Sequence, residues 1–136
     1  MPTTRKGDSE REAWLDDARR RGFTVKVAPL SYGTVRRVNE KLTNIKYSQV
    51  VQNRARFALG NKFLRTMDIF VLICEDHHHF YSFKRDKMNW LADRTTRDAS
   101  YDLPEFNINI ASQEYYSGSK VFPIRDNRDD WSVFKS

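Results

Sequence analysis

One cysteine, Cys74, stands in 136 residues, so no disulfide framework can form within the chain. It lies inside an apolar run with no flanking base. Cys74 therefore reads as a buried packing residue in reducing, cytoplasmic surroundings, not as a nucleophile. Long hydrophobic runs are also missing. None approaches the ~20 residues that span a bilayer, and MPTTRKGDSERE at the N-terminus lacks the apolar core of a signal peptide. No P-loop, GxGxxG or GxSxG occurs, which leaves nucleotide-cofactor and serine-hydrolase chemistry without a basis.

Acid is scarce where base is abundant. Residues 1–67 carry 15 Lys/Arg against 6 Asp/Glu, whereas residues 68–136 carry 9 against 12. Between Arg19 and Arg65 there are 12 basic residues and one acid, Glu40. Such concentration marks a surface for phosphate-rich polyanions, nucleic acid being the commonest. The plainer reading is a solvated basic face. With 39% hydrophobic and 31% charged residues, the chain is long enough for one domain with its own core.

The strongest structural signal is Asp68 to Phe83. Ile69–Cys74 is an unbroken apolar run that suits a strand buried on both faces. A polar cluster, Glu75–His79, interrupts it before apolar character resumes at Phe80-Tyr81-Ser82-Phe83, so the expectation is a central hairpin. Upstream, residues 1–7 read as a flexible tail and 8–136 as the domain. Ser9 and Glu12 match a capping box, Trp14, Leu15 and Ala18 form an apolar stripe, and Gly22 is placed to stop the helix. Asp16 and Asp17 are expected to face water.

Phe23–Val27 alternates as a strand ended by Pro29, and Ser31–Thr34 is turn material. Val35–Val38 and Leu42–Tyr47 then read as strands around Asn39-Glu40-Lys41. On the second, Asn44, Lys46 and Ser48 share one face while Ile45 and Tyr47 share the other. Gln49–Met67 supports helix or strand; a strand over Arg54–Leu59 closed by Gly60-Asn61 is preferred. A short helix or turn around Met88, Trp90 and Leu91 is expected within Arg85–Thr96, and a strand over Phe106–Ile110. The aromatic C-terminal segment, with Tyr115, Tyr116, Phe122, Trp131 and Phe134, is expected to pack on the domain.

One helix, three or four strands and a buried hairpin resemble the core of small PD-(D/E)XK nucleases, such as Holliday-junction-resolvase-like and homing-endonuclease-like proteins. The residues carrying the likeness are Glu10 and Glu12 ahead of Gly22-Phe23-Thr24-Val25, then Asn44-Ile45-Lys46-Tyr47-Ser48, Asp68–Cys74 and Trp131. The resemblance implies a single-domain α/β, restriction-endonuclease-like fold with a mixed sheet. It also implies a DNA-binding, metal-dependent endonuclease of homing or junction type that works as a homodimer with Mg²⁺ or Mn²⁺.

By this resemblance Lys46 takes the lysine position, and Glu10, Glu12 and Asn44 are the candidate metal ligands and catalytic partners. An acid and a Lys two apart on a strand point the same way and can act together on one phosphate. Here Asn44 replaces that acid, and Ser31–Val38 contains none. A non-catalytic nucleic-acid-binding or regulatory module on the same fold therefore stands as the alternative. A protein-interaction domain with a basic face is a further one.

The candidate phosphate contacts are Arg36, Arg37, Lys41, Arg54, Arg56, Lys62 and Arg65, together with Lys46. Arg36 and Arg37 must point to opposite faces, whereas Arg54 and Arg56 would share one. Glu75-Asp76-His77-His78-His79 offers metal-ligating groups, with Asp76 and His78 as secondary candidates. Consecutive histidines seldom converge on one ion, so the run reads first as a polar turn.

Overall fold

The structure, a computed structural model, describes residues 6–28, 34–95 and 105–135. The turn expected at Ser31–Gly33 and the strand end at Pro29 lie outside them. The organising strand is β5 (Ile69–Cys74), and all six of its residues are buried. Phe70, Leu72 and Cys74 enter one hydrophobic cluster, while Ile69, Val71 and Ile73 enter a second. A strand that alternates between two cores has no solvent face, which is why its sequence is continuously apolar.

β5 belongs to a five-stranded mixed sheet ordered β1-β2-β3-β5-β6. Here β1 is Val25–Val27, β2 Val35–Val38, β3 Lys41–Ser48 and β6 Phe80–Lys84. β1, β2 and β3 run antiparallel in succession, β3 and β5 pair in parallel, and β6 returns antiparallel beside β5. The expected hairpin is present, but β3 holds the centre of the sheet and β6 lies at its edge. Asn39 and Glu40 form the two-residue turn between β2 and β3, with φ of +52° and +69°. This left-handed turn matches the twist of a hairpin.

A parallel pair needs a crossover. The chain leaves β3 through β4 (Arg54–Ala58) and helix α2 (Asn61–Thr66) before entering β5. The segment around 49–67 is thus strand and then helix, because alternating burial in β4 gives way to a turn at Gly60. β4 begins a second sheet, ordered β4-β7-β8-β9, with β7 Glu105–Asn109, β8 Glu114–Ser117 and β9 Lys120–Pro123. Helix α3 (Arg85–Asp93) buries Met88, Leu91 and Ala92 in the cluster that the two sheets share.

Helix α1 (Lys6–Arg20) covers the other face of the first sheet with Trp14, Leu15 and Ala18. Trp14 is fully buried and stacks on Trp131 at 4.9 Å. Phe134 closes the same cluster, so the aromatic C-terminus packs as expected. Gly22, at φ +87°, stops the helix in the left-handed region. The helix opens at Lys6, ahead of Ser9, so the capping box does not form and Lys6 and Gly7 belong to the helix instead of the tail. Two contacts account for the extension: Lys6 pairs with Glu75 at 2.5 Å, and Gly7 lies so near the Tyr47 ring that a Cβ there would sit 3.1 Å from it.

Candidate active site and nucleic-acid interface

β3 and β5 end together, Ser48 beside Cys74. In α/β sheets ligands gather outside the carboxyl ends of parallel strands. The N-terminal half of α1 and the Glu75–His79 turn meet at the same edge. Glu75 ties them: one carboxylate oxygen receives Lys6, the other accepts from the Val50 backbone N–H at 3.1 Å, and the Tyr47 hydroxyl donates to the Glu75 carbonyl at 2.9 Å. The Lys6 ammonium holds the Glu75 carboxyl below its ordinary range, with the Val50 bond adding to the effect.

Asn44 and Lys46 share a face of β3, as the alternation requires, and it is the face turned toward the second sheet. Asn44 pairs across the strands with Val35 and Phe70, both members of that apolar cluster. The Asn44 side chain is fully buried, and among the described residues neither its Oδ1 nor its Nδ2 has a hydrogen-bond partner. Two orphaned atoms at one buried amide are a departure from the usual satisfaction of interior polar groups.

Lys46 is half-buried, and no carboxylate among the described residues pairs with it. Its pKa is pushed below the ordinary lysine value, first by burial and then by the nearby charge of Arg11. A partly desolvated ammonium next to another cation is an electrostatic site for an anion. Arg11 itself lies over Asp8, and on the α1 side of the sheet these two, with Lys6, Tyr47 and Gln49, line an open cleft of about 460 Å³ that Lys46 does not border.

The anticipated helix carboxylates do not join Lys46. Glu10 accepts from both the backbone N–H and Nδ1 of His77, each at 2.8 Å. Burial alone would raise its pKa, but the two His77 bonds outweigh that and hold it low. Glu12 is exposed on the outer side of α1. Of the anticipated group, Lys46 and Asn44 stand together, while Glu10 is committed to the turn after β5.

The basic residues divide by position. Arg54 and Arg56 are exposed on one face of β4, next to the end of β3; the Arg56 backbone N–H donates to Ser48 Oγ at 3.1 Å. Arg54 lies over the Tyr116 ring at 5.9 Å, and Arg56 faces Glu105 at 3.6 Å. Arg65 is exposed on α2 near the same sheet, as is Lys62. Lys41 starts β3 and so sits roughly 17 Å along the strand from Lys46. It borders a separate cleft with Asp68, Lys84 and Arg85. Arg36 and Arg37 do take opposite faces of β2, and Arg36 donates to the Val35 carbonyl at 2.9 Å.

The histidine run is a turn, and more than a turn. Asp76 Oδ1 accepts from the His78 backbone N–H at 2.9 Å and lies 2.9 Å from His79 Nδ1, so Asp76 is occupied in shaping the loop. His77 instead reaches α1. Asp17, expected in water, is half-buried with Oδ2 3.8 Å from His77 Nε2. Arg11 and Asp17 were not singled out by the sequence. The only available signal was helical spacing, since Glu10 and Asp17 lie two turns apart on one side of α1.

No protein-family model and no curated protein matches the chain. Among solved structures it is similar to the bacterial homing endonuclease I-Ssp6803I. The TM-score is 0.55, with 20% sequence identity over 98% of this chain and 91% of that one. The fold is similar to that of a homing endonuclease. The likeness confirms a single α/β domain with an N-terminal helix and mixed sheets. Among the described residues no helix is long and apolar enough to cross a membrane.

Proposed function

We propose that this chain binds DNA and cleaves its phosphodiester backbone, with the scissile phosphate seated at Lys46. The observation that carries the reading is the half-buried Lys46 ammonium, without a carboxylate partner among the described residues, beside the Asn44 amide, which has no described hydrogen-bond partner. Both are costly to keep in a folded chain unless a ligand uses them. A phosphate at this edge would give Lys46 its counter-charge, with Arg11, already paired with Asp8, adding to the positive field. Arg54 and Arg56, on the adjoining strand, would hold neighbouring phosphates.

In this reading Lys46 faces the phosphoryl oxygens, where negative charge develops as the attacking oxygen approaches. A preorganised ammonium in a partly desolvated site stabilises that charge more than one in water does. A divalent ion, if bound, would meet Asn44 Oδ1, a hard oxygen with no other partner among the described residues; Mg²⁺ commonly takes few protein ligands and completes its shell with phosphate oxygens and water. The donor set fits as one neutral ligand, so the ion is expected to bind weakly until DNA is present. Such an ion supplies Lewis-acid polarisation and an activated water. Two copies of the chain, each acting on one strand, would produce a double-strand cut.

The test is cleavage of supercoiled plasmid and branched DNA with Mg²⁺, Mn²⁺ or EDTA, comparing the native chain with Lys46→Ala and Lys46→Arg. Metal-dependent cutting that is abolished in Lys46→Ala is the expected result. Cutting that survives in Lys46→Ala moves the site elsewhere. Salt-sensitive binding without cutting by the native chain would leave a non-catalytic DNA-binding module, which the lack of acid on β2 and β3 would then explain. Absence of both would refute the DNA reading for those substrates.

A further inference from the structure

The described residues contain one group of side chains with metal-ligating geometry, and it lies on the α1 face of the sheet, separate from Lys46. The ligand atoms of Asp17, His77 and His78 all fall within 4.8 Å of one another. We propose that these three residues form a site for a borderline divalent transition ion, Zn²⁺ foremost, with Glu10 as a positioning residue. This inference does not rest on the nuclease reading.

The tautomer of His77 is set by its neighbours. Nδ1 lies 2.8 Å from Glu10 Oε1, so the ring proton sits on Nδ1 and donates to the carboxylate. Nε2, the other ring nitrogen, faces Asp17 Oδ2 at 3.8 Å and is the atom offered to an ion. This carboxylate–imidazole pairing is the arrangement that orients metal-bound histidines and raises their basicity. Glu10 and Asp17 project from α1 two turns apart, and the imidazole fits between them.

Bonds of about 2.0–2.2 Å to a tetrahedral ion place donor atoms roughly 3.3 Å apart. Asp17 and His77 are nearly there. His78, exposed and with its ring centroid 4.0 Å from that of His77, reaches the ion by side-chain rotation. Neighbouring histidines seldom share an ion because they usually diverge; here their rings already lie together, and the third ligand comes from a distant segment. Two imidazoles and one carboxylate suit Zn²⁺, Co²⁺ or Ni²⁺ and disfavour Mg²⁺ and Ca²⁺. Three protein ligands leave a fourth position for water or an incoming oxygen.

The test uses the untagged chain, so that no added histidines compete. Zn²⁺ affinity is measured by competition with a chromophoric chelator, and Co²⁺ substitution by visible absorption. One ion per chain is expected, with d–d bands but no thiolate charge transfer, since Cys74 is buried. Asp17→Asn and His78→Ala should each weaken Zn²⁺ binding at least tenfold. Glu10→Gln keeps all three ligands and should weaken it about 10–100-fold. Asp17→Asn is nearly isosteric and His78 is exposed, so both variants should fold; far-UV circular dichroism checks this. No saturable Zn²⁺ binding by the native chain, or binding that folded Asp17→Asn and His78→Ala leave unchanged, overturns the site. An unaltered affinity in Glu10→Gln alone would remove Glu10 from its positioning role.

Discussion

Replacing Asn44 by Leu should make the protein more stable and inactive. Asn44 is fully buried, it faces Val35 and Phe70 across the strands, and both polar atoms of its amide lack partners among the described residues. Leaving one buried donor or acceptor unsatisfied costs about 1–3 kcal/mol. Two such atoms set the upper range of what Leu can recover, and Leu also gains apolar contact in that cluster. Against this, a change of shape in a packed core costs up to about 1.5 kcal/mol. The net expectation is a gain of about 1–3 kcal/mol, or a rise of several degrees in Tm for a chain of this size. Urea unfolding followed by fluorescence measures it, as a higher midpoint at unchanged slope. DNA cleavage is assayed on the same sample and should be lost, as expected where stability has been traded for function. A lower midpoint would refute the reasoning, because it would mean the Asn44 amide has partners whose removal is felt.

Three other outcomes follow. Cys74 is buried and its thiol is pushed up to about 12 by desolvation, so the native chain should resist alkylation at pH 8 and react only when unfolded. The sign follows from the raised pKa: burying the neutral thiol contributes fully below pH 9, its unfolded value, and that contribution fades as pH rises from 9 toward 12. Arg54→Ala and Arg56→Ala should each lower DNA affinity and reduce the slope of log K against log salt by about 0.9, as expected for one lost phosphate contact. A mutant slope equal to that of the native chain would place that arginine outside the interface. Trp14→Ala empties the centre of the aromatic cluster around Trp131, Phe80 and Phe134 and should cost about 3–5 kcal/mol, read as a lower urea midpoint. A loss under 1 kcal/mol would show that α1 contributes little to the core.

The division of labour between sequence and tertiary structure is clear at particular residues. Local pattern was sufficient for β5, because a short apolar run rich in β-branched and aromatic residues, too short for a buried helix, suits a strand buried on both faces. It was also sufficient for the opposed faces of Arg36 and Arg37 and for the shared face of Asn44 and Lys46, since strand alternation leaves no choice. The order of elements, read from the same patterns, pointed to the nuclease-like α/β fold that the structural likeness supports. The start of α1 was not legible, because Lys6 and Gly7 are held by Glu75 and Tyr47, partners far along the chain. Nor was the split of Gln49–Met67 into β4 and α2, where short amphipathic segments fit either period. The placement of Glu10 with His77 and Asp17, and the isolation of Lys46 from every described carboxylate, arose only when α1 packed on one face of the sheet and β4 on the other. Periodicity decides which way a side chain points within its own element; what it meets there depends on the distant segment that packs against that face.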